Sequence, residues 1–145
     1  MTLVLDTAPL VCLADRRDPR QSMVREALER EPGALVVPAP VTAEVDYLLG
    51  QRLGRAAQTA FLADIASGSF EVACLDAAEY AVVVRYEAQY ADLSVGLADL
   101  SVVLIAHRWH TRRIMTFDYR HFRALSPLDG GSFFLVPDDE PRAVR

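Results

Sequence analysis

Five short apolar runs alternate along the chain with longer segments of helical periodicity, and that alternation restricts the possible folds more than any other feature. The runs are Leu3–Leu5, Ala34–Val37, Phe70–Leu75, Arg113–Phe117 and Ser132–Val136. A short, continuously apolar strand is one buried on both faces, as in a parallel sheet whose crossovers are helices. The intervening segments predict helices over Thr7 to about Asp15, Arg20 to about Arg30, Thr42 to about Leu53, Arg55 to Ala66, Asp76 to about Tyr90 and Leu97 to His110. The punctuation agrees: Pro9 falls in a first turn, Pro32-Gly33 is a breaker, Thr42 is an N-cap, and Gly54 separates two helices. The expected class is α/β, with three α/β/α layers around a central, mainly parallel sheet. A chain of 145 residues suits one domain. That domain is expected over residues 1–136, followed by a polar tail, 137–145, that frays.

Four acids interrupt this apolar plan: Asp6, Glu44, Asp99 and Asp118. Asp6 ends the first run and Asp118 the fourth, and open α/β sheets bind ligands at the carboxyl ends of their strands. Glu44 shares a helical face with Val41, Val45 and Leu48, and Asp99 with Val102, Val103 and Ala106. Three of them also have a plain structural reading. Asp6 can cap the helix that follows, Asp99 suits the positive end of its helix, and Asp118 can form a turn with Tyr119-Arg120-His121-Phe122. Ionised carboxylates are rarely buried unpaired, and two of them about 4 Å apart repel by ~4 kcal/mol at an effective dielectric of about 20. All 15 basic residues are arginine, so no lysine is present to neutralise them. If the four acids converge, a divalent cation is the simplest neutraliser, and carboxylate-held Mg²⁺ or Mn²⁺ points to phosphate chemistry.

Other candidates carry less. Asp76-Ala77-Ala78-Glu79 reads as a capping box, Asp46 as a solvated charge and Asp92 as a loop acid. His107 and His110 lie about 12–17 Å along their helix from Asp99 and lack the further Cys or His ligands of a zinc site. His121 is a minor candidate for touching a phosphate. Cys12 and Cys74 sit among apolar neighbours and read as small core residues. The net charge of −5 argues against non-specific coating of nucleic acid. A nuclease is still allowed, because a metal supplies positive charge at the phosphate. Arg16, Arg17, Arg52, Arg55, Arg112, Arg113 and Arg120 are candidates to steer an RNA backbone. No apolar run reaches transmembrane length and no basic, cleavable leader precedes Leu3, so a cytoplasmic location is expected.

The ordered motifs resemble a PIN domain, specifically the VapC-type ribonuclease toxins of bacterial toxin–antitoxin pairs. The matching pieces are Leu3-Val4-Leu5-Asp6-Thr7, Val41-Thr42-Ala43-Glu44-Val45 and Asp92-Leu93-Ser94-Val95-Gly96-Leu97-Ala98-Asp99. Ile105-Ala106-His107-Arg108 and Thr116-Phe117-Asp118-Tyr119-Arg120-His121-Phe122 follow. The resemblance spans Leu3 to about Val136 and implies a metal-binding quartet of Asp6, Glu44, Asp99 and Asp118, with Thr7 and Thr116 as polar accessories. Asp6, Asp99 and Asp118 are expected to bind metal most directly, with Glu44 completing the shell or orienting water. It further implies an endoribonuclease dependent on Mg²⁺ or Mn²⁺, a homodimer, and a cognate antitoxin protein as inhibitor. One departure is Ala8-Pro9 after Thr7, where the family often carries a second small polar residue. The rival readings are a PIN nuclease of RNA maturation or decay and a non-catalytic PIN-like interaction module. A phosphoaspartate receiver normally uses a lysine, which is absent. Any of these could dimerise through the Val41–Ala66 helical region.

Overall fold

The computed structural model describes residues 1–142. Among them are the strands β1 (Thr2–Leu5), β2 (Ala34–Pro38), β3 (Glu71–Ala73), β4 (Arg113–Met115) and β5 (Phe134–Val136). The helices are α1 (Thr7–Ala14), α2 (Gln21–Arg30), α3 (Ala39–Arg52), α4 (Arg55–Ala66), α5 (Ala77–Gln89), α6 (Leu97–Arg108) and α7 (Tyr119–Ala124). A single 3-10 turn, Ala91–Leu93, leads into α6. The strands form one parallel sheet in the order β3-β2-β1-β4-β5, the centre of an α/β/α sandwich. β1 lies in the middle, and its Leu3, Val4 and Leu5 expose nothing, which is why the run carries no polar alternation. α6 is buried on every side from Leu100 to Ala106 because it packs against β1, β2 and β4 as well as α3 and α5.

The chain order places the site. From β1 the sheet grows one way through β2 and β3, and the other way through β4 and β5. The crossovers therefore part between β1 and β4, opening a crevice beyond the carboxyl ends of those two strands.

Several local readings are corrected by the structure. α3 begins at Ala39, not after Thr42, because Pro38 and Pro40 lack only donors that a first helical turn leaves unpaired. The Thr42 hydroxyl donates instead to the Ala39 carbonyl at 2.6 Å. Tyr119–Ala124 is a helix and not a turn, N-capped by Asp118, whose Oδ1 accepts the His121 N–H at 3.2 Å. α2 buries Val24 and Ala27, leaving Met23 exposed. Cys12 is buried as expected, but Cys74 is exposed because it follows the edge strand β3. The Asp76–Glu79 capping box is present in both directions, at 2.8 and 3.0 Å.

The start of the tail is bonded to the fold. Asp139 accepts the Leu135 N–H at 2.7 Å and pairs with Arg123, while Glu140 meets Arg113 at 3.3 Å. Residues 143–145 of the expected tail lie outside the described residues. Among the described residues, no helix is long and apolar enough to cross a membrane.

Two arginines leave the list of RNA contacts. Arg113 begins β4 and Arg112 precedes it, at the opposite end of that strand from Asp118, and Arg112 pairs with Asp129 at 3.4 Å. Arg113 pairs at 2.5 Å with Glu31, whose side chain is 2% exposed, and so ties the end of α2 to the sheet. Removing one partner of such a pair leaves the other charge buried and unmatched. Arg113→Ala is therefore expected to lower stability by on the order of 3 kcal/mol in chemical denaturation, with no change in RNA affinity of the folded protein. Unchanged stability would return Arg113 to the candidate RNA contacts.

Candidate metal centre

The crevice at the carboxyl ends of β1 and β4 collects acids from four elements. Asp6 follows β1, Asp118 follows β4, Asp99 is in the first turn of α6 and Glu44 in the second turn of α3. All four, with Thr7, line one cavity of about 200 Å³ whose walls include Arg20, Leu48 and Arg52. Asp92, on the 3-10 turn, does not line it.

Asp6 is the buried member, 4% exposed. Its main-chain N–H donates to the Met115 carbonyl at 3.0 Å, which continues the β1–β4 ladder by one step. It stands at the N-cap position of α1, yet its side chain makes no cap bond. Instead Oδ2 accepts the Thr116 hydroxyl at 2.7 Å. The same Thr116 Oγ1 accepts the Asp118 N–H at 2.9 Å. One buried hydroxyl thus sets the position of one acid against the backbone of another.

Burial pushes the Asp6 carboxyl up to about 6, although the Thr116 hydroxyl and the Thr7 N–H pull the other way. The charges of Asp99 and Asp118 add to the rise. Asp99 is also raised, first by burial, with Asp118 and Glu44 contributing repulsion against the opposing Gly96 N–H and His121. The acids resist holding all their charge together, as a cluster without a counter-ion must.

His121 completes the group. Its Nδ1 lies 2.7 Å from Asp118 Oδ2 and 3.4 Å from Asp99 Oδ2. Despite that proximity, Nδ1 is buried without an aligned hydrogen bond among the described residues, and so is Thr7 Oγ1. Asp99, Asp118 and His121 each offer a ligand atom, all within 4.8 Å of one another. Crowded carboxylates beside two orphaned polar atoms fit a divalent cation better than an empty polar pocket.

Of the residues read from the sequence, Asp6, Thr7, Glu44, Asp99 and Asp118 converge on this cavity, and Thr116 lies beside it bonded to Asp6. Glu44 differs in detail. α3 buries Val41, Val45 and Leu49, so Glu44 flanks the core and stands exposed at the rim, outside the tight Asp99–Asp118–His121 group. Two residues were not read as part of the acidic centre: His121, singled out only as a minor candidate for touching a phosphate, and Arg20. The helical i, i+3 spacing from Asp118 to His121 is hidden when the segment is read as a turn. Arg20 donates twice to Asp18, at 3.1 and 3.0 Å, and its guanidinium lies 4.2 Å over the Phe117 ring at the cavity wall. The local pair Asp18-Pro19-Arg20 was its only signal.

Residues 3–126 match the PIN domain model, and the chain belongs to that family. It is 39% identical over 135 residues to Ribonuclease VapC26 of Mycobacterium tuberculosis, covering 93% of this chain and 100% of that protein. Among solved structures it resembles VapC20 of Mycobacterium tuberculosis, a sarcin-ricin loop cleaving toxin, with a TM-score of 0.74 at 16% identity, over 82% of this chain and 93% of that one. A chain of VapBC2 from Rickettsia felis, bound to a DNA fragment from the promoter of that pair, gives a TM-score of 0.66 at 20% identity, over 93% and 98%. Both structural likenesses establish the fold.

The raised Asp6 carboxyl makes a signed prediction. A group protonated more readily in the folded state contributes stability at low pH that is lost as pH rises through its folded value. The interval from 3.8 to about 6 corresponds to on the order of 3 kcal/mol. Metal-free Asp6→Asn is therefore expected to be more stable than the parent at pH 7.5 by up to about that amount, with the gap closing toward pH 4. Denaturation curves at both pH values check it. A variant less stable than the parent at pH 7.5 would contradict the electrostatic assignment.

Proposed function

We propose that this protein is a metal-dependent endoribonuclease that hydrolyses RNA phosphodiester bonds at the acidic cavity and acts as the toxin of a toxin–antitoxin pair. The observation that carries this reading is the convergence of Asp6, Glu44, Asp99 and Asp118 on one cavity of a PIN fold, beside buried polar atoms that lack partners. The extensive identity to a protein named as a ribonuclease supports it.

Asp6, Asp99 and Asp118 would hold the ion, Mg²⁺ or Mn²⁺, with Glu44 at the rim to complete the shell or orient water. A bound divalent ion supplies a Lewis acid that activates water and neutralises charge on the scissile phosphate. The chain's own residues do the rest. Thr116 keeps the Asp6 carboxylate turned into the crevice. Thr7 Oγ1 is buried beside the centre without a partner among the described residues, so it is left to meet what binds there. Arg20 and Arg52, on the cavity walls, meet phosphates, and Arg20 loses little rotamer freedom on binding because Asp18 and Phe117 already hold it. Attack in line on phosphorus leaves a 5′-phosphate and a 3′-hydroxyl.

The partners follow from the same reading. A cognate antitoxin protein restrains the nuclease, and the shared fold of the Rickettsia felis VapBC2 complex supports that. The protein is a cytoplasmic homodimer that pairs through α3 and α4, where Tyr47 and Leu62 are exposed apolar side chains.

Asp99→Asn tests the reaction. Cleavage of total bacterial RNA, mapped by 5′-end sequencing, is expected to fall at least about a hundredfold. The variant keeps its fold and loses the rise in melting temperature that Mn²⁺ gives the parent. Identical cleavage profiles from the two proteins would remove Asp99 from the mechanism. Arg52→Ala tests the substrate contact. In the Asp99→Asn background, the salt slope of RNA binding is expected to shrink by about 0.7, the value for one phosphate on a single strand. An unchanged slope would place Arg52 off the RNA path.

A further inference from the structure

We propose that His121 is itself a ligand of the ion through Nδ1, and that this nitrogen makes the centre select transition-metal divalent cations, Mn²⁺ included, over Mg²⁺. The inference rests on the metal-dependent reading above and adds to it the class of metal.

The placement of the ring is the first argument. Asp118 divides its carboxylate: Oδ1 accepts the His121 N–H and caps α7, leaving Oδ2 turned to the centre. α7 is short but held at both ends. Phe122 is buried in the core, and Arg123 pairs with Asp138 and Asp139 of the segment after β5. The His121 ring is thus fixed by its own helix and the packing around it, not by a hydrogen bond from Nδ1.

Distance and direction supply the second. An imidazole N–H that served only to pair with Asp118 would be aimed at it; here Nδ1 approaches to 2.7 Å yet makes no aligned bond among the described residues. Two ligands in adjacent octahedral positions, each about 2.1 Å from an ion, stand about 3 Å apart. The separations of 2.7 and 3.4 Å to Asp118 and Asp99 bracket that value.

An independent observation points to the same guest. Thr7 is 5% exposed, lines the cavity, and its Oγ1 also lacks a partner among the described residues. A buried hydroxyl left unpaired is costly unless something absent from the protein meets it.

Selectivity then follows from ligand chemistry. Mg²⁺ is bound through oxygen and retains its waters, so a nitrogen in its shell gains little. Imidazole favours the transition ions, whose affinities rise from Mn²⁺ along the series. An oxygen-only centre would discriminate less.

Electron spin-echo spectroscopy on metal-stripped wild-type protein reloaded with Mn²⁺ tests the proposal without relying on activity. Directly bound nitrogen is expected in its modulation, changing isotope signature when histidine is ¹⁵N-labelled and vanishing in His121→Ala. His107 and His110, at the far end of α6, do not contribute. In equilibrium titrations, His121→Ala is expected to weaken Mn²⁺ binding about 10- to 100-fold and Mg²⁺ binding less than threefold. Mn²⁺ binding that is lost in Asp99→Asn but shows no bound nitrogen in the wild type would overturn the role of His121 and leave the metal-dependent reading standing. No Mn²⁺ binding at all would overturn both.

Discussion

The carboxylate of Asp6 is shut almost completely away from water at the end of the central strand, and the arrangement around it follows from that burial. A buried carboxylate costs several kcal/mol unless it is paired. Among the described residues no arginine reaches it to make a hydrogen bond, and the chain has no lysine, so one hydroxyl, Thr116, is its side-chain partner. That hydroxyl comes from the neighbouring strand because β4 lies beside β1, where the order of the sheet reverses. The same reversal admits the first turn of α6 and the start of α7, bringing Asp99 and Asp118 to the cavity that Asp6 lines, with His121 against those two. Sheet topology and electrostatic demand meet at one point, where a divalent cation would neutralise the crowded carboxylates.

That unresolved charge has a thermodynamic consequence. The crowded carboxylates lower the stability of the metal-free fold at neutral pH, and an ion held there would raise it, since only the folded chain brings these groups together. Stability surrendered at a functional site is regained elsewhere. Here the compensation is visible in α6, buried on every side, and in the Glu31–Arg113–Glu140 pairs that lock the opposite end of the sheet.

Much of this was legible in the sequence, for physical reasons that also mark where legibility stops. A strand buried on both faces must be apolar throughout, so β1, β2 and β4 announce themselves, and acids directly after β1 and β4 stand out against them. Helix faces are less certain. At about 100° per residue, Glu44 lies roughly 100° around α3 from the middle of the Val41–Val45–Leu49 stripe, so it borders the core without entering it. Proximity in sequence to Val41 and Val45 could not separate those cases. Arg113 looked like a free cation because its partners are distant: Glu31 is 82 residues away and Glu140 is 27. His121 was obscured by a six-residue helix too short to show a period of its own.

Anomalous diffraction from crystals soaked in Mn²⁺ would locate an ion at this crevice without reference to any reaction. The predicted result is a peak bounded by Asp99, Asp118 and His121, on the side of the crevice that Asp6 faces. Full occupancy elsewhere, with the acidic cavity holding only solvent, would contradict the assignment of these residues as a metal centre.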